Sequence, residues 1–153
     1  MAQAADPAPE LALARGRRIA NLWWAAGALA ILILSRLLTP DPSGHGTRPS
    51  LWPIPCLWRV STGLPCPSCG MTTAFVWMAR GEPRRAWQCN PLGPPAYVLT
   101  WVVLVWALAA AARGRGGPGA ALESRRVLVG LIAVYLGVWV VRLLFLVAGE
   151  WRA

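Results

Sequence analysis

The sequence predicts an all-α integral membrane protein: three transmembrane helices, with a cysteine-bearing interfacial or re-entrant helix between the first and second. Three observations carry that expectation. The chain of 153 residues is 56% hydrophobic and only 14% charged, where a water-soluble domain carries about 25% charged residues, and its mean hydropathy is +0.47. The apolar residues gather in three runs, each close to the roughly 20 residues that cross a hydrocarbon core of about 30 Å at 1.5 Å per residue. Between the first two runs lies a proline- and cysteine-rich stretch whose apolar pieces are too short to cross.

The elements follow in order. Residues 1–18 form a polar N-terminal tail ending in Arg15, Arg17 and Arg18. Residues 19–38 form the first span, interrupted only by Asn21, Ser35 and Arg36. Its basic flank resembles the start of a signal peptide, but the run is too long for a signal core and no small-x-small cleavage site follows, so it reads as an uncleaved anchor. Residues 39–91 form the cysteine loop. Residues 92–112 form the second span, entered through Pro91, Pro94 and Pro95, which suit a helix start. Residues 113–126 form an Arg/Gly turn, residues 127–148 the third span, interrupted by Arg142, and residues 149–153 a tail. No heptad pattern or internal repeat is visible. Trp23 and Trp24 mark one membrane face, Trp139 and Trp151 the other.

Composition also excludes function classes. The apolar content excludes disorder, and four cysteines are too few for a secreted disulfide miniprotein. A net charge of +9 raises the question of nucleic acid, but the basic residues, all Arg, flank the apolar runs. They point to a lipid bilayer and no nucleic-acid partner. Arg15, Arg17, Arg18, Arg113, Arg115, Arg125 and Arg126 lie in short flanks on one side. Arg48, Arg59, Arg80, Arg84, Arg85 and Arg152 are spread along a longer stretch on the other. That asymmetry places the N-terminus in the cytoplasm and the cysteine loop outside it.

The loop carries the chemistry. It contains Pro55-Cys56 and Gly63-Leu64-Pro65-Cys66-Pro67-Ser68-Cys69-Gly70. A Cys-Pro-x-Cys-Gly turn is a chelating knuckle: proline stiffens it, the sulfurs converge, and Gly70 supplies the positive φ needed after the second ligand. One knuckle is half of a tetrahedral zinc site. Cys56 is the candidate third ligand, and Cys89 or His45, the one histidine, the fourth. His45 lies in a turn-rich stretch and reads first as a plain loop residue. A disulfide, structural or redox-active, and inert buried thiols are the other two readings. A location outside the cytoplasm favours the disulfide, whereas the knuckle chemistry favours metal. No βαβ pattern surrounds the pair, which argues against a thioredoxin-like domain.

Residues 71–79 read as a short apolar helix stopped by Gly81 in the C′ position. Met71, Phe75 and Met78 share one face and Thr73, Trp77 and Arg80 another. At this length the helix lies in the interface or dips back into the bilayer. Cys69 stands at its start, where the helix N-terminal charge favours a thiolate, and Thr72 is placed to cap or back-bond it. Pro83 opens a second short helix that Asn90-Pro91 ends, with Arg84, Arg85 and Trp87 at the headgroups.

Arg36 and Arg142 are placed by parity. The first span leaves the membrane toward the cysteine loop, and three crossings bring the end of the third to the same side. No Asp or Glu occurs within the spans. One reading is snorkelling toward headgroups. The other is that they support the knuckle, with Arg142 facing the cysteine-bearing helix and meeting its C-terminal carbonyls or the thiolates at its start.

Cys56, the run Thr62-Gly-Leu-Pro-Cys66-Pro-Ser-Cys69-Gly-Met-Thr72, then Arg80-Gly81-Glu82, Ala86 and Asn90-Pro91-Leu92 resemble a family of small bacterial membrane proteins known as domain of unknown function 2752. The resemblance covers roughly residues 54 to 100. It implies a multi-pass protein of the bacterial cytoplasmic membrane with a cysteine signature, and implies no reaction. Thr73 stands where the family pattern has Arg, Glu82 where Asp is common, and Cys89 lies outside the signature.

No phosphate-binding loop, His-Glu-x-x-His or Ser-His-Asp set is present, so no catalytic residue is assigned. The reading is a non-enzymatic membrane protein. Its Cys56, Cys66 and Cys69 lie close together and organise the loop, with Gly70, Thr72, Arg36 and Arg142 in support, for assembly with a membrane partner or a second copy. One alternative is a thiol–disulfide protein using Cys66 and Cys69 with Cys56 resolving. Another is a metal-handling or transport component, for which three spans without a carboxylate leave little pathway.

Overall fold

The computed structural model describes residues 8–40, 61–62 and 66–148, and these are all-helical with no strand among them. Helix α1 (Ala8–Leu37) is followed by short helices α2 (Met71–Ala79) and α3 (Pro83–Cys89). Then come α4 (Gly93–Arg113), the short α5 (Pro118–Leu122) and α6 (Arg125–Val147). Helices α1, α4 and α6 are long and apolar enough to cross a membrane. The cysteine-bearing segment lies between the first two, as composition and apolar runs imply.

Helix α1 begins well before its apolar run. Pro9 sits in its first turn, Glu10 complements the N-terminal dipole there, and the Ala- and Leu-containing stretch that follows has high helix propensity. The polar tail is therefore helical from Ala8 onward. Helix α4 takes Pro94 and Pro95 in its first turn and closes at Gly114, which adopts φ +63°.

The main core joins α1 to α4. Asn21, Ala25, Ala28, Leu32 and Ser35 are buried on α1, spaced alternately by four and three residues. Of these, Ala25, Ala28 and Leu32 pack with Leu104 and Ala107 of α4, flanked by Tyr97 and Val103. This is a heptad seam, a pattern not visible in the sequence. The reason is chemical: in lipid, contacts between helices are made by small and polar residues, while Leu29, Ile31 and Ile33 point outward. A window of large apolar residues does not reveal the seam.

The short helices α2 and α3 pack on this pair. Gly93, at the start of α4, lies so close to Ala74 that a side chain there would overlap the Ala74 methyl. Helix α2 ends in a Schellman turn: Gly81, at φ +77°, donates to Met78 O at 3.0 Å and Glu82 N–H to Trp77 O at 3.0 Å. At the opposite end of the bundle Asn21 Nδ2 donates to Arg115 O at 3.0 Å. That bond ties the middle of α1 to the turn before α5.

Candidate functional site: the cysteine turn

The turn from Cys66 to Gly70 is shaped by its own main chain. Cys69 N–H donates to Cys66 O at 2.9 Å, closing a β-turn with Pro67 at its second position, where φ is already set. Met71 N–H donates to Ser68 O at 3.0 Å, and Ala74 N–H to Gly70 O at 2.8 Å, so the turn runs directly into α2. Gly70 is the N-cap residue of α2 at φ 80°. A Cβ there would stand 2.5 Å from Cys89 O. The glycine expected after the second cysteine is thus required twice, for its left-handed backbone and for the close approach of α3.

Two buried polar side chains hold the turn from outside. Asn90, fully buried between α3 and α4, donates through Nδ2 to Pro67 O at 3.3 Å and Cys69 O at 3.1 Å. Its Oδ1 accepts from Leu92 N–H at 2.9 Å, starting α4. Arg142, 5% exposed, reaches from α6 and donates to Cys69 O at 2.9 Å and Cys89 O at 3.0 Å. It does not snorkel. It faces the cysteine turn, and its partners are main-chain carbonyls at the start of α2 and the end of α3. The carbonyl at the far end of α2 is met by the other span arginine: Arg36 donates to Ala79 O. Arg80 completes this clamp, donating to Val76 O at 3.1 Å and to Leu38 O at 2.7 Å.

The sulfurs occupy different surroundings. Cys66 and Cys69 are half-buried and not joined by a disulfide; Cys89 is buried, packed with Ala74 and Ala86 beside Trp77 and Met78. Burial pushes the Cys89 thiol above its ordinary range, and the Arg142 guanidinium partly opposes that rise. Among the described residues no three His, Cys, Asp or Glu side chains converge as metal ligands. Cys56 and His45 lie outside the described residues. Thr72 is exposed and lines an apolar recess with Ser35 and Leu38. Thr73 is fully buried.

Residue-by-residue reading missed three participants. Asn90 was legible only as a helix stop before Pro91. Ser68 carried no signal beyond its place between the cysteines, yet its hydroxyl meets the Tyr135 hydroxyl of α6. Tyr135 did carry one: it is the sole tyrosine of the third apolar run, and a buried or lipid-facing phenol seeks a partner. On α3, Arg84, Arg85 and Trp87 are exposed. Arg85 stands over the Trp77 ring, 4.7 Å from its centroid, and 4.0 Å from Glu82.

Comparison with curated proteins and with solved structures gives no match. Residues 56–104 match the model of a family described as "Protein of unknown function (DUF2752)". The cysteine turn, α2, α3 and the first half of α4 fall within the matched residues.

Proposed function

We propose that the protein is a membrane-embedded assembly component in which Cys66 and Cys69, with Cys56 as third sulfur, form a preorganised site that is closed by a disulfide or by a metal ion. The closed site organises the loop beside the membrane for association with a membrane partner or a second copy. One observation carries this reading: the contacts described around the turn bind its carbonyls, through Asn90 and Arg142. The bend does not depend on a bond between the sulfurs. Surrounding hydrogen bonds thus set the two cysteines at the ends of one turn before any closure.

The spacing suits either closure. The ends of a β-turn lie within about 7 Å between Cα atoms, and disulfides span roughly 4.4–6.8 Å. Zinc would take both sulfurs with Cys56 and needs a fourth donor. Cys89 is the weaker candidate for it, since it packs within the apolar cluster of Ala74 and Ala86, which leaves His45. A thiol–disulfide role is the second reading, supported by the half-burial of both cysteines. There the two thiols would give two electrons and two protons to a partner's disulfide, leaving a Cys66–Cys69 disulfide and two partner thiols.

Intact mass spectrometry of the purified protein, native and after alkylation near pH 7, tests the proposal. The expected result is either a protein two hydrogens light with two thiols withheld from alkylation, or one carrying a metal ion with three withheld. Cys89 should alkylate last among free thiols, because burial both shields it and lowers its thiolate fraction below that of an ordinary thiol. Rapid alkylation of Cys66 and Cys69 in every native preparation, without bound metal, overturns it. A measurable redox potential lost in Cys66→Ser and Cys69→Ser alike would select the thiol–disulfide reading.

A further inference from the structure

The three spans are not joined alike. Helices α1 and α4 meet along a buried seam. Helix α6, by contrast, closely approaches only α5 among the described helices, and its apolar window is just 6% buried. What crosses the gap toward α2, α3 and the cysteine turn is polar. Arg142 donates to the Cys69 and Cys89 carbonyls, and the Tyr135 hydroxyl meets Ser68 Oγ. Tyr135 and Arg142 are seven residues apart, two turns along one face of α6. Below them α4 and α6 stand apart around an apolar crevice of about 440 Å³, bordered by Met71, Leu99, Leu131 and Tyr135. In hydrocarbon an apolar helix gains little by exchanging lipid for another apolar helix, so its polar contacts decide where it docks.

We propose that the cysteine turn is the dock of the third span, and that closure of the turn sets whether α6 is held against the rest of the protein or released into lipid. This rests on the reading of Cys66 and Cys69 as a site closed in use. Ser68 and Cys69, which receive Tyr135 and Arg142, lie within or at the end of the segment that closure would tighten. The Cys69 carbonyl also takes the Asn90 amide, and it belongs to the peptide leading into Gly70, the residue with the widest backbone freedom. Turning that peptide withdraws an acceptor from Arg142 and Asn90 together. In the structure no disulfide joins Cys66 to Cys69, and α6 is docked. Oxidation replaces two S–H bonds with one S–S bond. Two electrons and two protons pass to a disulfide such as oxidised glutathione, which leaves as two thiols. Metal closure instead displaces one proton from each thiol that binds the ion.

The test uses the full chain in lipid nanodiscs, with spin labels on non-canonical residues at the exposed positions Leu22 and Leu144, leaving the cysteines native. Double electron–electron resonance then reads the α1–α6 distance. Reduced protein is expected to give one narrow distance. Arg142→Leu should lose that single peak, and Tyr135→Phe, which removes only a hydroxyl, should broaden it. Protein treated with oxidised glutathione or zinc should show a second population. A single unchanged distance in both variants overturns the dock. An unchanged distance in protein that intact mass shows to carry the disulfide or zinc overturns the control by closure. Absence of both closures by mass is instead the failure of the sulfur-site reading, and the two substitutions still decide whether the dock exists.

Discussion

Gly70 joins the two constraints that fix the cysteine turn, and its substitution gives a direct measure of them. Its φ of 80° costs an L-residue about 1–2 kcal/mol. The added methyl would also meet the main-chain oxygen of Cys89, 2.5 Å away, a neighbour that cannot rotate aside as a flexible side chain would. Gly70→Ala is therefore expected to destabilise the folded protein by more than the backbone term alone, with a lowered thermal midpoint in detergent. Gly116, exposed on the far side of the bundle with a side chain's space limited only by ordinary contact to Ala120, should tolerate alanine. Equal midpoints for the two variants would remove the case for a left-handed turn pressed against α3.

Between elements, the informative contact is the seam of α1 and α4. Ala107 is fully buried there beside Ala25 and Ala28, whereas Leu108, the next residue, is exposed. Ala107→Leu should force the helices apart and cost about 1–3 kcal/mol, read as a lower unfolding midpoint, while Leu108→Ala should change it little. If Ala107→Leu is neutral, the two spans are not closely packed at that point. The same contrast explains what the sequence made legible. Apolar runs disclosed the spans because length and hydropathy suffice for that. Gly81 and Pro83 disclosed the α2–α3 hairpin because they act locally. The seam was hidden, since Ala28 and Ala107 look no different from the lipid-facing alanines around them. In the site, Gly70 followed from the motif and Arg142 from the parity of three crossings. Asn90 and Ser68 did not, because their roles depend on which carbonyls the tertiary fold brings near them.

Across the whole molecule, the arginines divide into two populations, and that division bears on which way the protein lies in the membrane. The Asn21–Arg115 hydrogen bond brings the turn after α4 to the N-terminal half of α1, so Arg15, Arg17 and Arg18 gather at the same end of the bundle as Arg113 and Arg115. Arg125 and Arg126 open α6 just beyond. At the cysteine end, Arg36, Arg80 and Arg142 are committed to carbonyls, and Arg85 lies by Glu82. Topology follows the concentration of positive charge in short flanks next to the spans, and by that measure the arginine-dense end is the stronger cytoplasmic signal. The expectation is an N-terminus inside and a cysteine turn outside. Reporter fusions decide it: one after Gly116, in the exposed part of the arginine turn, should report cytoplasm, and one at Ser43 should report the opposite side. The reverse pair of signals would invert the protein and put Cys66 and Cys69 in a reducing compartment, where a stable disulfide is disfavoured and zinc becomes the closure to test first. Neutralising Arg15, Arg17 and Arg18 together should then shift the Ser43 signal in whichever preparation starts with the N-terminus inside, because it removes the charges flanking the first span; a fusion pattern indifferent to that change would mean that the flank does not set the orientation.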